Sequence, residues 1–342
     1  VSFYSIHQNG KMNPQTKIIF VSSDQEQLEF SDKVNAAGRL FQEGNTFRAY
    51  SFGGNKSLLF ESSSGYSTFS MSKGAFDSNI YTVNLALNGM NGRIEVITID
   101  DGSTGEIRNT IQYTNPNHKV VTSPVIYAAI YHAVEIGTKL YFTGYDMVQD
   151  RYELYCLDEE TNEVQFVDYW YHTSVEFEEL LYVNGRIITA ENPHHSRFMD
   201  GKDLPEMASL TSMDPDTLEA NTVSLDTKRI INAYTYGDSI RVVTEDNHLL
   251  EYTTDLELVS DKDLSGTDFA KLFSNTEYKL HGIRYLGNKA AAIVTPNSET
   301  TKLGKTLEFD ADTLTPQKSI TIPLSENIGW KTDFADLLIV EK

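Results

Sequence analysis

An all-β chain built from a repeated four-stranded unit is what this sequence predicts, and three observations predict it. The chain of 342 residues carries 19 Tyr and 17 Phe among short apolar stretches, and flat amphipathic rings suit a half-buried pleated surface. One acidic turn between two apolar runs recurs along the chain. No stretch competes seriously as a long helix. Residues 263–275, DLSGTDFAKLFSN, are the best helical candidate, with Leu264, Phe269, Leu272 and Phe273 roughly on one side. They read as a short connector.

The recurring turn has a simple grammar. An apolar residue is followed by Asp, then by Thr three residues on, often by Glu five residues on, and a new apolar run begins. Asp158, Thr161 and Glu163 in CLDEETNEVQFV obey it. Asp214, Thr217 and Glu219 obey it too, as do Asp101, Thr104 and Glu106. Asp310 and Thr313 keep the first two parts, with Thr315 in the Glu place. Asp and Thr suit such turns because their short side chains reach backbone groups two or three residues on. This acidic motif therefore reads as structural punctuation and not as a calcium site.

The spacing sets the architecture. Asp101, Asp158 and Asp214 stand at nearly equal intervals, and the step from Asp214 to Asp310 is nearly a double one. A shorter turn, TTDLEL at 253–258, fills the double gap, and degenerate copies stand at 21–30 and 60–69. Seven turns at a mean period of about 48 residues match propeller blades of four strands. Residues 1–30 lack an innermost strand, which the C-terminal DLLIVEK can supply. The expectation is a seven-bladed β-propeller of four-stranded blades, one domain over 1–342, its ring closed by the C-terminal strand joining the N-terminal strands. Closure would remove open sheet edges.

These LD-x-x-T-x-E turns make the chain resemble bacterial propellers of the YVTN and quinoprotein-like repeat type. Its general style is also similar to surface lipoproteins of Gram-positive bacteria. The resemblance implies a fold, since such propellers host enzymes, scaffolds and binding proteins alike. It also implies an extracytoplasmic place, at the cell surface or secreted. The chain opens at Val1 with no Met and no charged-then-apolar leader, which suggests a trimmed or mature form.

Charge narrows the partners. There are 28 basic against 49 acidic residues, a net of −21, which repels phosphate backbones and anionic headgroups. Nucleic acid is not expected, and no run of 18 apolar residues suggests membrane insertion. The lone Cys156 reads as a small apolar residue of a strand, and one cysteine excludes an intramolecular disulfide framework.

In a propeller, the loops joining second to third strands, together with the connectors between blades, make the face that meets ligands. The long loop ENPHHSRFMDGKDLPEM at 191–207, in the fourth repeat, holds His194, His195 and Arg197. A loop of that length in a regular repeat invites a recognition role. Adjacent residues on extended chain point to opposite sides, so His194 and His195 do not readily share a metal. Trp170, Tyr171 and His172 lie in the connector DYWYHTS, Tyr145 in the preceding loop GYDMVQD and Trp330 in the last connector. Gathered on the loop face, such rings would make a stacking platform. Wedged between blades, they would be core.

No HExxH, GxSxG, P-loop or GxGxxG signature occurs. The reading is a non-enzymatic binding or assembly module without cofactor, taking a protein or carbohydrate partner through Tyr145, Trp170, Tyr171, His172, His194, His195 and Arg197. The alternatives are a metal-dependent hydrolase or lyase acting on a glycan or small molecule in the central channel, and a structural domain of a larger envelope protein.

Overall fold

The computed structural model describes residues 2–8, 15–21, 27–32, 37–43, 46–51, 56–61, 68–73, 81–99, 108–167, 175–194, 206–274, 277–296, 303–323 and 332–339, with most of their side chains described from 85 to 321. Residues 1–86 and 266–342 form one compact unit, and 87–265 form another.

Strands follow one another as antiparallel ladders in sets of four. Ser2–Gln8 (β1), Gln15–Val21 (β2) and Gln27–Asp32 (β3) pair in sequence, followed by Ala37–Glu43 (β4), Thr46–Ser51 (β5), Lys56–Glu61 (β6) and Thr68–Lys73 (β7). The second blade is Tyr81–Gly89 (β8), Gly92–Ile99 (β9), Arg108–Thr114 (β10) and Val120–Thr122 (β11). The third is Ala129–Ile136 (β12), Lys139–Asp146 (β13), Arg151–Asp158 (β14) and Glu163–Phe166 (β15). The fourth is Val175–Val183 (β16), Arg186–Pro193 (β17), Ser209–Met213 (β18) and Ala220–Ser224 (β19). The fifth is Ile230–Tyr236 (β20), Ser239–Thr244 (β21), His248–Tyr252 (β22) and Leu258–Asp263 (β23). After the short helix Asp268–Lys271 (α1) comes the sixth, Tyr278–Leu286 (β24), Lys289–Pro296 (β25), Leu303–Asp310 (β26) and Pro316–Pro323 (β27). Thr332–Ile339 (β28) pairs with β1, Phe3 opposite Leu338, and supplies the strand that residues 1–30 lack.

The fold is an all-β propeller of four-stranded antiparallel blades, and the expected number of seven blades is corrected. Five blades, the second to the sixth, are described down to their side chains and packing. The remaining strands make two more four-stranded sheets, β4–β7 and β28–β1–β2–β3. Counting turns measures spacing and does not test whether each unit buries a core.

Burial explains the strand patterns. The second strand β13 is buried over Leu140–Gly144, because neighbouring blades cover both of its faces, and β21 is buried over Ile240–Thr244. The fourth strand β23 is exposed along its whole length. Between the third and fourth blades, Tyr141, Leu154, Val167, Val175, Phe177 and Leu180 pack with Ile187 and Met213. Half-buried Cys156 lines this layer, as a small apolar residue would, and burial pushes its thiol pKa up.

The repeated turn is the structural device that its grammar implied. Asp158 Oδ1 accepts the amides of Glu160 and Thr161 at 2.9 and 3.0 Å. Asp214 Oδ1 does the same for Asp216 and Thr217, and Asp310 Oδ1 for Asp312 and Thr313. The Asp carbonyl then accepts from the residue four on: Asn162, Leu218 and Leu314. All three have φ near +60°, at 59°, 61° and 55°. The turn Asp101–Glu106 lies outside the described residues. The second, third and fourth blades each hold the turn of the next. Tyr113 donates its hydroxyl to Asn162 at 2.9 Å, Tyr141 to the Pro215 carbonyl at 2.7 Å, and Ser212 to the Thr254 carbonyl at 2.6 Å.

The connector helix α1 is one turn long. Thr267 caps it by accepting the Ala270 amide, and Phe269 is fully buried, edge-on to Phe309 at 5.3 Å.

Candidate ligand face of the third and fourth blades

The loop joining β13 to β14 is built like the acidic turn at the other end of the same blade. Asp146 pairs with Arg151 across a four-residue loop, as Asp158 pairs with Glu163. Asp146 Oδ1 accepts the amides of Val148 and Gln149 at 2.8 and 3.0 Å. The fifth position, Asp150, has φ 53°. Where the outer turn puts Asn162, the inner one puts a carboxylate. Asp150 is 8% exposed. It accepts the Tyr145 hydroxyl, and its Oδ1 lies 3.5 Å from His194 Nε2 at the end of β17.

Around this carboxylate the rings converge. Tyr152 lies 4.7 Å from Tyr145, 5.2 Å from His194, 6.3 Å from Tyr131 and 6.4 Å from Phe177, centroid to centroid. His194 meets Tyr145 and Tyr152 edge-on, at interplanar angles of 81° and 83°. Such tilted and edge-on contacts match the ring quadrupoles. Phe177 is buried; Tyr145, Tyr152 and His194 are half-buried; Tyr131 is open. Glu176 lies nearby on β16, and burial followed by Glu176 raises the pKa of both Tyr131 and Tyr152. These hydroxyls stay neutral donors.

Beyond Glu176 a cleft of about 360 Å³ opens towards the fifth blade, lined by Glu176, Asn192, Glu206, Lys228, Arg229 and Glu245. The Asn192 side chain closes its inner wall. Its amide donates to the Ile230 carbonyl at 2.9 Å, and its oxygen accepts the Ile230 amide at 2.7 Å. The same amide donates to Glu178 at 3.2 Å. Burial pushes the Glu178 carboxyl up to about 7, against the pull of Arg229.

At the open side, apolar side chains face solvent. Tyr127 is 60% exposed, Met147 46%, Val148 69%, Val125 44% and Tyr131 40%. The register places them at one end of the blade, since Ala129 stands opposite Tyr145 and the β13–β14 loop follows directly.

The structure thus brings together two of the expected site residues, Tyr145 and His194. Trp170, Tyr171, His172, His195 and Arg197 lie outside the described residues, as does Trp330. Asp150, Tyr152, Tyr131 and Glu176 were missed by the sequence reading. One signal was available for Asp150: Asp146-Met-Val-Gln-Asp150 repeats the spacing of Asp158-Glu-Glu-Thr-Asn162. Among the described residues no group of three or more His, Cys, Asp or Glu is placed to hold a metal ion.

No family model matches the chain, and no curated protein matches it. Solved structures similar to it include Sqt1 from Chaetomium thermophilum, 8% identical, covering 92% of this chain and 83% of that one with a TM-score of 0.54. The computationally designed protein Ika8 is 10% identical over 90% of this chain and 91% of its own, with a TM-score of 0.50. A Bacteroides fragilis protein described as a candidate 6-phosphogluconolactonase is 9% identical over 99% and 98%, also at 0.50. At such identities the likeness is one of fold alone.

Proposed function

We propose that this propeller is a non-enzymatic binding module that docks a protein partner on the loop end of its third and fourth blades. The observation that carries this reading is the exposed apolar group of Val125, Tyr127, Tyr131, Met147 and Val148 beside a pre-packed ring cluster. Contiguous exposed apolar surface rimmed by polar groups is the usual mark of an interaction site. Aliphatic Val and Met side chains favour a protein over a sugar, which would need only the rings. The cluster behind Tyr131 is already fixed by Asp150 and Phe177, so little side-chain freedom is lost on binding. With a net charge of −21, the surroundings favour a basic segment. An extracytoplasmic location belongs to this proposal and is checked by fractionating cells.

The test is a binding screen by calorimetry with lysine- and arginine-rich peptides and with soluble glycans. A basic peptide should bind in the micromolar range, and Tyr131→Ala with Tyr127→Ala should weaken it at least tenfold with an unchanged melting temperature. Glycan binding alone, or peptide binding indifferent to both substitutions, would sink the reading.

A further inference from the structure

A second group of residues lies at the opposite end of the third blade from the ring cluster. Glu159, in the outer turn after Asp158, is 1% exposed, and neither of its carboxyl oxygens receives a hydrogen bond from any donor. Its backbone is fixed, the amide donating to the Thr138 carbonyl at 2.8 Å. The group facing it is a second carboxyl, that of Glu135 on β12. Glu135 is held by the second blade, its Oε2 accepting the Met90 amide at 2.5 Å in the β8–β9 turn. Gly89 permits this approach: a Cβ there would come within 2.9 Å of Glu135 Oε1.

Two neighbouring carboxyls, one of them wholly buried, cannot both be ionised without a large desolvation and repulsion cost. We propose that Glu135 and Glu159 share one proton in the folded protein, closing a joint between the β8–β9 turn of the second blade and the outer turn of the third. Loss of that proton to solvent leaves two facing anions and loosens the joint.

The surrounding groups agree with this assignment. The Met90 amide favours charge on Glu135, which leaves the proton on Glu159. Burial, then Glu135, then Asp158 push the Glu159 carboxyl up to about 8. The facing group on β10 is the Tyr113 hydroxyl, bonded to Asn162. Burial and the acidic neighbours push it to about 12, so it brings no charge. A carboxyl raised in the native state stabilises most below its ordinary value of 4.5. That stabilisation falls as pH rises towards about 8 and is absent above.

The experiment is a melting series from pH 5 to 9.5 on the whole chain and on Glu159→Gln and Glu135→Gln, with infrared detection of protonated carboxyl. Glu159→Gln keeps a hydrogen bond to Glu135 without a titrating proton. Its melting temperature should fall less across pH 5 to 8, and the protein should lose a protonated-carboxyl band whose midpoint lies near 8. Should Glu159→Gln fail to fold, Glu135→Gln must show the same flattening. Parallel profiles for all three proteins would overturn the assignment. So would a calcium-induced rise in melting temperature at pH 8.5 present in the parent and missing in Glu159→Gln, since the pair would then hold a cation.

Discussion

The third blade makes the same four-residue turn at both of its ends, and the two ends do different things. At the outer end Asp158 collects two amides and the left-handed position holds Asn162, whose side chain accepts the hydroxyl of Tyr113. At the inner end Asp146 collects two amides and the left-handed position holds Asp150, which gathers Tyr145 and His194. One backbone solution serves for closure at one end and for presentation at the other. At the position where φ is positive the two turns differ in chemistry, Asn162 against Asp150. Asn and Asp both tolerate that conformation, so the backbone leaves the choice to chemistry.

Substitutions can break this contrast, starting with the largest effect. Tyr152→Ala removes the ring shared by Tyr131, Tyr145, His194 and Phe177. It should cost about 3 kcal/mol in denaturant unfolding, the low end for a large aromatic because the ring is only half-buried, and abolish peptide binding. Asp150→Ala strips the acceptor from the Tyr145 hydroxyl. Leaving such groups unpaired costs about 1–3 kcal/mol, and binding should weaken with it. Asp158→Ala is the matching change at the other end: it should cost about 1 kcal/mol for the amides left without an acceptor, with binding untouched. If Asp158→Ala weakened binding as much as Asp150→Ala, the two ends would not be separate in function.

Two smaller effects sharpen the picture. Glu178, behind the cleft, has a carboxyl raised to about 7 from its ordinary 4.5. Its stabilisation is full below 4.5 and is lost as pH rises to about 7. Glu178→Gln should therefore flatten the melting profile in that window, apart from the steeper change assigned to Glu159, whose window runs on to about 8. Leu218 stands at φ 61° and is 42% exposed. A non-glycine residue there is strained by about 1–2 kcal/mol, and Asn relieves part of it. Leu218→Asn should raise stability by about 0.5–1 kcal/mol, read from the denaturation midpoint. Leu314 has a similar φ but is 2% exposed, so there lost packing should cancel the gain.

How far the sequence reached is visible in these same residues. Asp158, Asp214 and Asp310 with their threonines were legible because a turn is local: a short side chain bonds amides two and three residues on, whatever lies around it. The short capped helix at 268–271 was legible for the same reason. Asp150 was half-legible, its turn present in DMVQD and its role invisible. Met90, Glu135 and Glu159 come from three separate segments of two blades, and no local rule connects them.

The sequence by itself determined a β-rich repeat of propeller-blade length, four strands to a unit, turns closed by Asp, and a net charge of −21. Those follow from side-chain period, turn chemistry and net charge, which need only neighbours along the chain. Tertiary structure alone decided that Tyr131, Tyr145, Tyr152 and His194 form one cluster, and that the Glu159 carboxyl is buried beside Glu135. Such facts depend on which strands stack face to face. Burial then gives a ring or a carboxyl its energetic meaning, because desolvation is a property of the folded neighbourhood and not of the residue.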